Sequence, residues 1–265
     1  MAIYHLHVKN ISRGDNRSAV AAAAYRAGET LANEAEERLS MFGGRRDVLH
    51  AEIRAPASAP AWCFERGVLW NAVEAAEKRK DARLAKEIEF SIPRELPKTA
   101  WLGVAQAMAD AYTALGHVVD FAIHDDGSGL NPHVHMMLTT RVLVGERFGE
   151  KMREADNLAF VNNARALWEK IANDALGEAG LEVEIDARSH AARGLGTTPT
   201  QHRGANPEER KARRTAARAR GVPTMNPETL AAHRALLADK EAVGRRFPNV
   251  SVNRSQRGSD KLGKH

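Results

Sequence analysis

The hydrophobic period of this chain changes several times, and each change marks an element. Residues 2–8 alternate singly, with Ala2, Tyr4, Leu6 and Val8 against Ile3, His5 and His7, which predicts a half-buried strand. Asn16 or Ser18 can then cap a helix through the alanine run Ala19–Ala27, with Gly28 as its stop. A short strand is predicted over Asp47–Ile53, and Pro60 opens a second helix whose charged end is Lys78–Arg83. Alternation resumes over Lys86–Ile92, where Ile88, Phe90 and Ile92 share one face and Glu87, Glu89 and Ser91 the other. Thr99 caps a third helix with the stripe Trp101, Ala105, Met108 and Tyr112, ending at Gly116. Two strands, Val118–His124 and His133–Val144, flank the turn-forming run 125–132. Phe160, Ala164, Leu167 and Ile171 recur at helical spacing before Gly180, and Leu181–Ile185 alternates as a last strand.

This order of elements predicts an α/β sandwich, a mainly antiparallel sheet covered by helices on one face. No glycine-rich phosphate loop follows any strand, so nucleotide-dependent chemistry loses ground. Apolar periodicity fades beyond about residue 196. The expected division is one domain over residues 1–205 and a basic tail over 206–265, helical at most over Glu208–Arg220 and Glu228–Val243.

Composition narrows the setting. A hydrophobic share of 43% and a charged share of 28% are ordinary for a globular protein. No run approaches the roughly 20 apolar residues of a membrane span, and the alternating N-terminus lacks the apolar stretch of a signal peptide. Cys63 is the single cysteine, which excludes a disulfide framework and a cysteine-rich zinc site. The expected location is the cytoplasm. Lys and Arg total 39 against 34 Asp and Glu. From Arg203 to Arg220 seven basic residues stand against two acidic ones, a local excess equal to the +5 of the whole chain. A polyanion would meet that segment first, although a solvated basic helix accounts for the charge equally well.

Three groups of residues carry chemistry. His133 and His135 lie two apart on a strand, so both imidazoles point to one face. Alone, the pair reads as surface or hydrogen-bonded histidines. His124 changes the weighing: it ends the preceding strand on the face opposite Val119, Phe121 and Ile123, and strand pairing would bring it beside the other two. Three neutral imidazoles with open positions suit a catalytic divalent metal without selecting strongly among metals. Arg141, six residues past His135, is expected on the same face, where it could clamp a phosphate. Glu87 and Glu89 share a strand face; they are solvent-facing unless that face also holds the histidines, where one could orient a ligand or accept a proton. Tyr4 and Tyr112 lie on apolar stripes and are expected in the core. Tyr25 projects from a helix of small residues and is the candidate nucleophile, with Arg26 or the metal as the cation that would help a phenol attack.

These pieces resemble the MobA/MobL family of plasmid relaxases. MAIYHLHVKNISRGDNRSAVAAAAYRAGE is similar to that family's N-terminal motif, ARLAKEIEFSIPREL to its second, and NPHVHMMLTTR to its histidine-hydrophobe-histidine motif. IDARSHAARGL and PTQHRG resemble its closing segments, so the likeness runs from residue 2 to about 205. The resemblance implies a five-stranded antiparallel sheet flanked by helices and a strand-specific DNA nicking and religation activity at a plasmid transfer origin. It also implies Tyr25 as nucleophile, His124, His133 and His135 as ligands of a divalent cation (Mn or Mg), and Glu87 or Glu89 as an active-site carboxylate. Expected DNA contacts are Arg26, Arg79, Lys80, Arg83, Arg141 and Arg188. Single-stranded origin DNA is the implied partner, with accessory mobilisation proteins and a coupling protein beside it. Many members continue into a helicase or primase where this sequence has a short basic tail; unwinding would fall to another protein, or the chain is a piece of a longer one. Two rivals remain at this stage. A DNA-binding accessory protein would leave Tyr25 without a role, and a histidine-based phosphoesterase would form no DNA adduct.

Overall fold

The computed structural model describes residues 4–189, 191–194 and 196. Its centre is a five-stranded sheet built from β1 (Leu6–Ser12), β4 (Val48–Arg54), β5 (Arg83–Ser91), β6 (Val119–His124) and β7 (His133–Thr139). The spatial order is β1-β5-β7-β6-β4, and every neighbouring pair is antiparallel. The five-stranded antiparallel sheet implied by the resemblance is therefore present. The first strand begins later than its alternation predicts.

Helices cover both faces of this sheet, not one. Residues Ile88, Phe90, Val119, Phe121, Ile123, Val134, Met136 and Leu138 point to one side. They bury against α3 (Lys98–Thr113) and α4 (Leu158–Glu178). On the other side α1 (Ala19–Ala27) and α2 (Arg66–Ala76) pack over Ile11, Ala85 and Met137. The pattern hid this second layer because the strand face beneath it is largely polar, and polar alternation reads as solvent exposure. Asp120 illustrates the point: it is buried on that face and accepts hydrogen bonds from Arg66 at 2.9 Å and Trp70 Nε1 at 2.8 Å.

Helix α1 is anchored at both ends. Ser18 caps it, its Oγ accepting from Ala21 N at 3.1 Å, and Glu74 of α2 accepts from Ala19 N at 2.7 Å. Gly28 ends it in the left-handed conformation, φ 67°, where a Cβ would meet Val48 Cγ2 at 3.1 Å. Helix α3 is entered through Pro97 rather than capped by Thr99, and no side chain caps it.

Three further differences have local causes. A hairpin of β2 (Thr30–Asn33) and β3 (Arg38–Met41) escaped the pattern, because its turn contains no Gly or Pro and Glu37 itself takes φ 50°. The strand expected over His133–Val144 breaks at Thr140, and β8 (Arg141–Val144) pairs with β9 (Arg147–Lys151) in a separate sheet. Leu181–Ile185 forms no strand: Asn173 of α4 takes both backbone groups of Ile185, at 2.8 and 3.0 Å, in place of a strand partner. The basic cluster Arg203–Arg220 and the helices expected at Glu208–Arg220 and Glu228–Val243 lie outside the described residues.

Candidate active site

Strand register assembles the site. His124 pairs with His133, Ala122 with His135, and Glu89 with His135 on the other flank. The three imidazoles meet at the β6–β7 end of the polar face, with ring centroids 4.9 to 5.4 Å apart. One nitrogen from each, taken together, lies within 4.8 Å of the other two.

Each ring is oriented by a hydrogen bond of its own. His124 Nε2 donates to the Arg26 carbonyl at 2.6 Å, and His133 Nδ1 donates to the Asn131 carbonyl at 2.9 Å. His135 Nδ1 donates to Glu87 Oε1 at 3.0 Å. A carbonyl or carboxylate can only accept, so in a neutral ring each of these bonds sets the tautomer and puts the lone pair on the other nitrogen. His124 Nδ1 is buried without a hydrogen-bond partner, an orphan that a cation would satisfy. Burial also pushes the His124 pKa down to about 4, so the ring is neutral at pH 7 as a ligand must be. The donor set fits a divalent cation, with outward partners of the kind that steady metal-bound histidines.

A second cluster, Glu87, Glu89 and His135, also has donor atoms within metal-binding reach. Its carboxylates already serve as counter-ions. Glu87 is fully buried, accepts from Arg26 Nε at 2.6 Å, and has Lys9 at 3.5 Å and Arg17 at 3.9 Å. Burial pushes its carboxyl up, but the His135 hydrogen bond and the Arg26 charge outweigh it and hold the pKa at about 2. Glu89, less buried, accepts from Lys9 at 2.8 Å.

Tyr25 is 44% exposed, directly before the residue whose carbonyl holds His124. The cation beside it is Arg45, whose Cζ stands 3.9 Å from the ring centroid. Arg26, expected in that role and as a DNA contact, is buried and committed to Glu87 and to the Ala22 carbonyl at 2.8 Å. Its side chain points into the sheet because α1 lies flat on it.

The remaining expected DNA contacts do not gather here. Arg141 lies past the bend at Thr140, bound to Glu77 at 2.7 Å and to the Gly149 carbonyl at 2.8 Å. Six residues of strand span about 20 Å, so a shared face would not have made it a neighbour of His135. Arg79 and Lys80 occupy the turn after α2, not a helix end, and Arg79 pairs with Asp81. Arg83 starts β5 at the end remote from Ser91, the register partner of His133, and pairs with Asp156. Arg188 is exposed in the segment after α4 and pairs with Asp186. Four residues beside the site went unmarked in sequence: Lys9, Arg17, Arg45 and Asp47. For Lys9 a signal existed, since it shares strand parity with His7.

A three-histidine cluster on an antiparallel sheet, flanked by an exposed tyrosine on a small-residue helix, defines a metal-ready site beside a nucleophile candidate. The comparisons agree with that class. The sequence profile of the MobA/MobL family matches residues 17–213. A mobilization protein MobL from Acidithiobacillus ferridurans is 36% identical over 241 residues, 77% of this chain and 62% of that protein. A probable conjugal transfer protein TraA from Sinorhizobium fredii is 35% identical over 80% of this chain but only 22% of its own length. The solved structure described as "Molecular Basis of Vancomycin Resistance Transfer in Staphylococcus aureus" aligns with TM-score 0.67 and 27% identity, over 71% of this chain and all of that one. The chain belongs to the MobA/MobL family. It spans about three-fifths of that first relative's length and about a fifth of the second's. Among the described residues no helix is long and apolar enough to cross a membrane.

Proposed function

We propose that this chain is a relaxase that nicks and rejoins one DNA strand at a plasmid transfer origin for conjugative mobilisation, through a tyrosine–DNA link. The observation that carries this reading is the coupling of His124 to the backbone of Arg26, which ties the histidine cluster to the helix presenting Tyr25. Relatives named for mobilisation and conjugal transfer support it.

His124 Nδ1, His133 Nε2 and His135 Nε2 would hold a divalent cation, Mn or Mg. When bound, that ion supplies electrostatic polarisation of the scissile phosphodiester. Tyr25 Oη attacks phosphorus, and the new O–P bond forms as the bond to the 3′-oxygen breaks. The phenol gives up its proton and the departing oxygen gains one, leaving a 5′-phosphotyrosine and a 3′-hydroxyl. Attack by a 3′-hydroxyl on the phosphotyrosine reverses the step and recloses the strand. Glu87 acts through His135 by fixing its tautomer, and is a positioning residue. Glu89 is the carboxylate nearer solvent. Lys9 and Arg17, about one-third exposed, are better placed beside the site for the DNA backbone than residues 78–83. We place the nicking domain at residues 1–205 and assign the basic segment 206–265 to phosphate contacts that raise affinity at low salt.

The test incubates the protein and a divalent cation with labelled single-stranded oligonucleotides tiled across the DNA flanking its gene. A denaturation-resistant adduct is expected with the wild type and none with Tyr25→Phe, whose DNA affinity should stay within about threefold. An undiminished adduct in Tyr25→Phe would refute the assigned nucleophile.

A further inference from the structure

The loop between β3 and β4 is built around Tyr25. Phe42 meets the Tyr25 ring edge-on, with centroids 5.3 Å apart. Arg45 lies against the ring, its Cζ 3.9 Å from the centroid, and its Nη1 donates to the Tyr25 carbonyl at 3.2 Å. The guanidinium is itself held by Asp47: Nε donates to Oδ1 at 2.9 Å, and Nη2 bonds to Oδ2. Asp47 stands 4.0 Å from His124 Nδ1, and its carbonyl accepts from Asp125 N at 2.9 Å. The loop therefore grips the tyrosine with one residue and reaches the histidine cluster with another. Gly28, left-handed at φ 67°, lies under this loop, where a Cβ would press on Val48 Cγ2 at 3.1 Å.

An exposed phenol on a helix ordinarily samples several rotamers, and each wrong one removes the nucleophile from the phosphate. A planar fork held along one edge by Asp47 can hold the ring in one of them at little further entropic cost, because the guanidinium is already ordered. Among the described residues the hydrogen bonds of Arg45 go to Asp47 and to the Tyr25 carbonyl, so its guanidinium serves the tyrosine rather than a distant ion pair.

We propose that Arg45, braced by Asp47, is the positioning residue of Tyr25, setting the ring's orientation relative to His124, His133 and His135. This rests on the reading of Tyr25 as nucleophile, and the experiment separates the two. The chain has three tyrosines, so 3-fluorotyrosine labelling gives three fluorine signals, with Tyr25 assigned by its loss in Tyr25→Phe. In Arg45→Ala and in Asp47→Asn the Tyr25 signal should move toward that of a freely rotating ring and narrow, while Tyr4 and Tyr112 stay in place. With the oligonucleotide that gives the adduct, the maximal rate of adduct formation should fall on the order of 10- to 100-fold. The half-saturating DNA concentration should move less than about threefold. Arg45→Lys keeps the charge but not the fork, and should behave more like Ala than like the wild type. An unmoved Tyr25 signal in both Arg45→Ala and Asp47→Asn overturns the proposal, as does full rescue by Lys, which would make the effect one of charge alone. Should Tyr25→Phe retain the adduct, the nucleophile reading falls, and the fluorine signal alone then decides whether Arg45 orients the ring.

Discussion

The two faces of the central sheet are made by the same strands and behave as different materials. On one, Ile88, Phe90, Val134 and Met136 are fully buried against α3 and α4, with Lys86 as a buried charge beside Phe160 and bonded to the Ala155 carbonyl. On the other, Glu87, Asp120 and His124 are buried too, each bonded to a specific partner on α1 or α2. Alternation of one residue separates them. The apolar face draws its stability from area and shape, so many sequences would serve it. The polar face draws its order from hydrogen bonds between particular atoms, each costly to lose, and that order is what chemistry requires.

The largest expected effect lies on the polar face. EDTA should stop cleavage and added Mn or Mg should restore it, because the proposed cation would rest on three imidazoles, and fewer would hold it poorly. The double variant His133→Ala, His135→Ala should lose more than about a hundredfold in cleavage rate while its thermal transition stays cooperative. Metal-dependent cleavage surviving in that variant would dispose of the three-histidine site. On the apolar face the sign is reversed. Phe90, packed at a tilt against Trp168 with centroids 4.3 Å apart, should cost about 3–5 kcal/mol when changed to Ala. The variant's remaining folded fraction should bind metal normally, as isothermal titration would show. If Phe90→Ala altered metal affinity as much as the histidine changes do, the faces would not be independent.

Glu87→Ala should breach the division by harming both properties. It strips the partner from buried Arg26, which costs about 3–5 kcal/mol for an uncompensated charge. It also frees His135 to adopt the other tautomer, so metal affinity should fall roughly 10- to 100-fold. Urea unfolding with and without metal measures the two losses separately. A loss of stability alone would show that His135 does not depend on Glu87 for its orientation.

The apolar face was legible in the sequence almost residue by residue, because burial against any helix leaves the same alternating mark. Convergence of His124, His133 and His135 was legible too, since register across the 125–132 turn follows from strand parity. What escaped was the set of long-range polar partners. Arg26 looked like an exposed cation because nothing local shows that Glu87, 61 residues away, would claim it. Arg45 and Asp47 sit in a loop without periodicity, where only the folded chain brings them to Tyr25. The covering helices α1 and α2 were missed as a layer for the same reason: polar partners, not apolar stripes, attach much of that layer to the sheet.

The smallest effect offers the sharpest control on the comparison. Glu89 shares strand, parity and charge with Glu87, and differs chiefly in burial: its side chain is 26% exposed where that of Glu87 is fully covered. Its main partner, Lys9, is itself 35% exposed, so water and salt screen the pair. Burial pushes the Glu89 carboxyl up, but Lys9 and His135 hold it below the ordinary glutamate value, so it is ionised at neutral pH. Glu89→Gln should therefore cost at most about 1 kcal/mol, and the cost should shrink further in high salt. Denaturant midpoints at two salt concentrations would measure it. A loss on the scale expected for Glu87, unchanged by salt, would mean that position on the polar face sets a carboxylate's importance regardless of its burial. The division drawn between the faces would then rest on address rather than on desolvation.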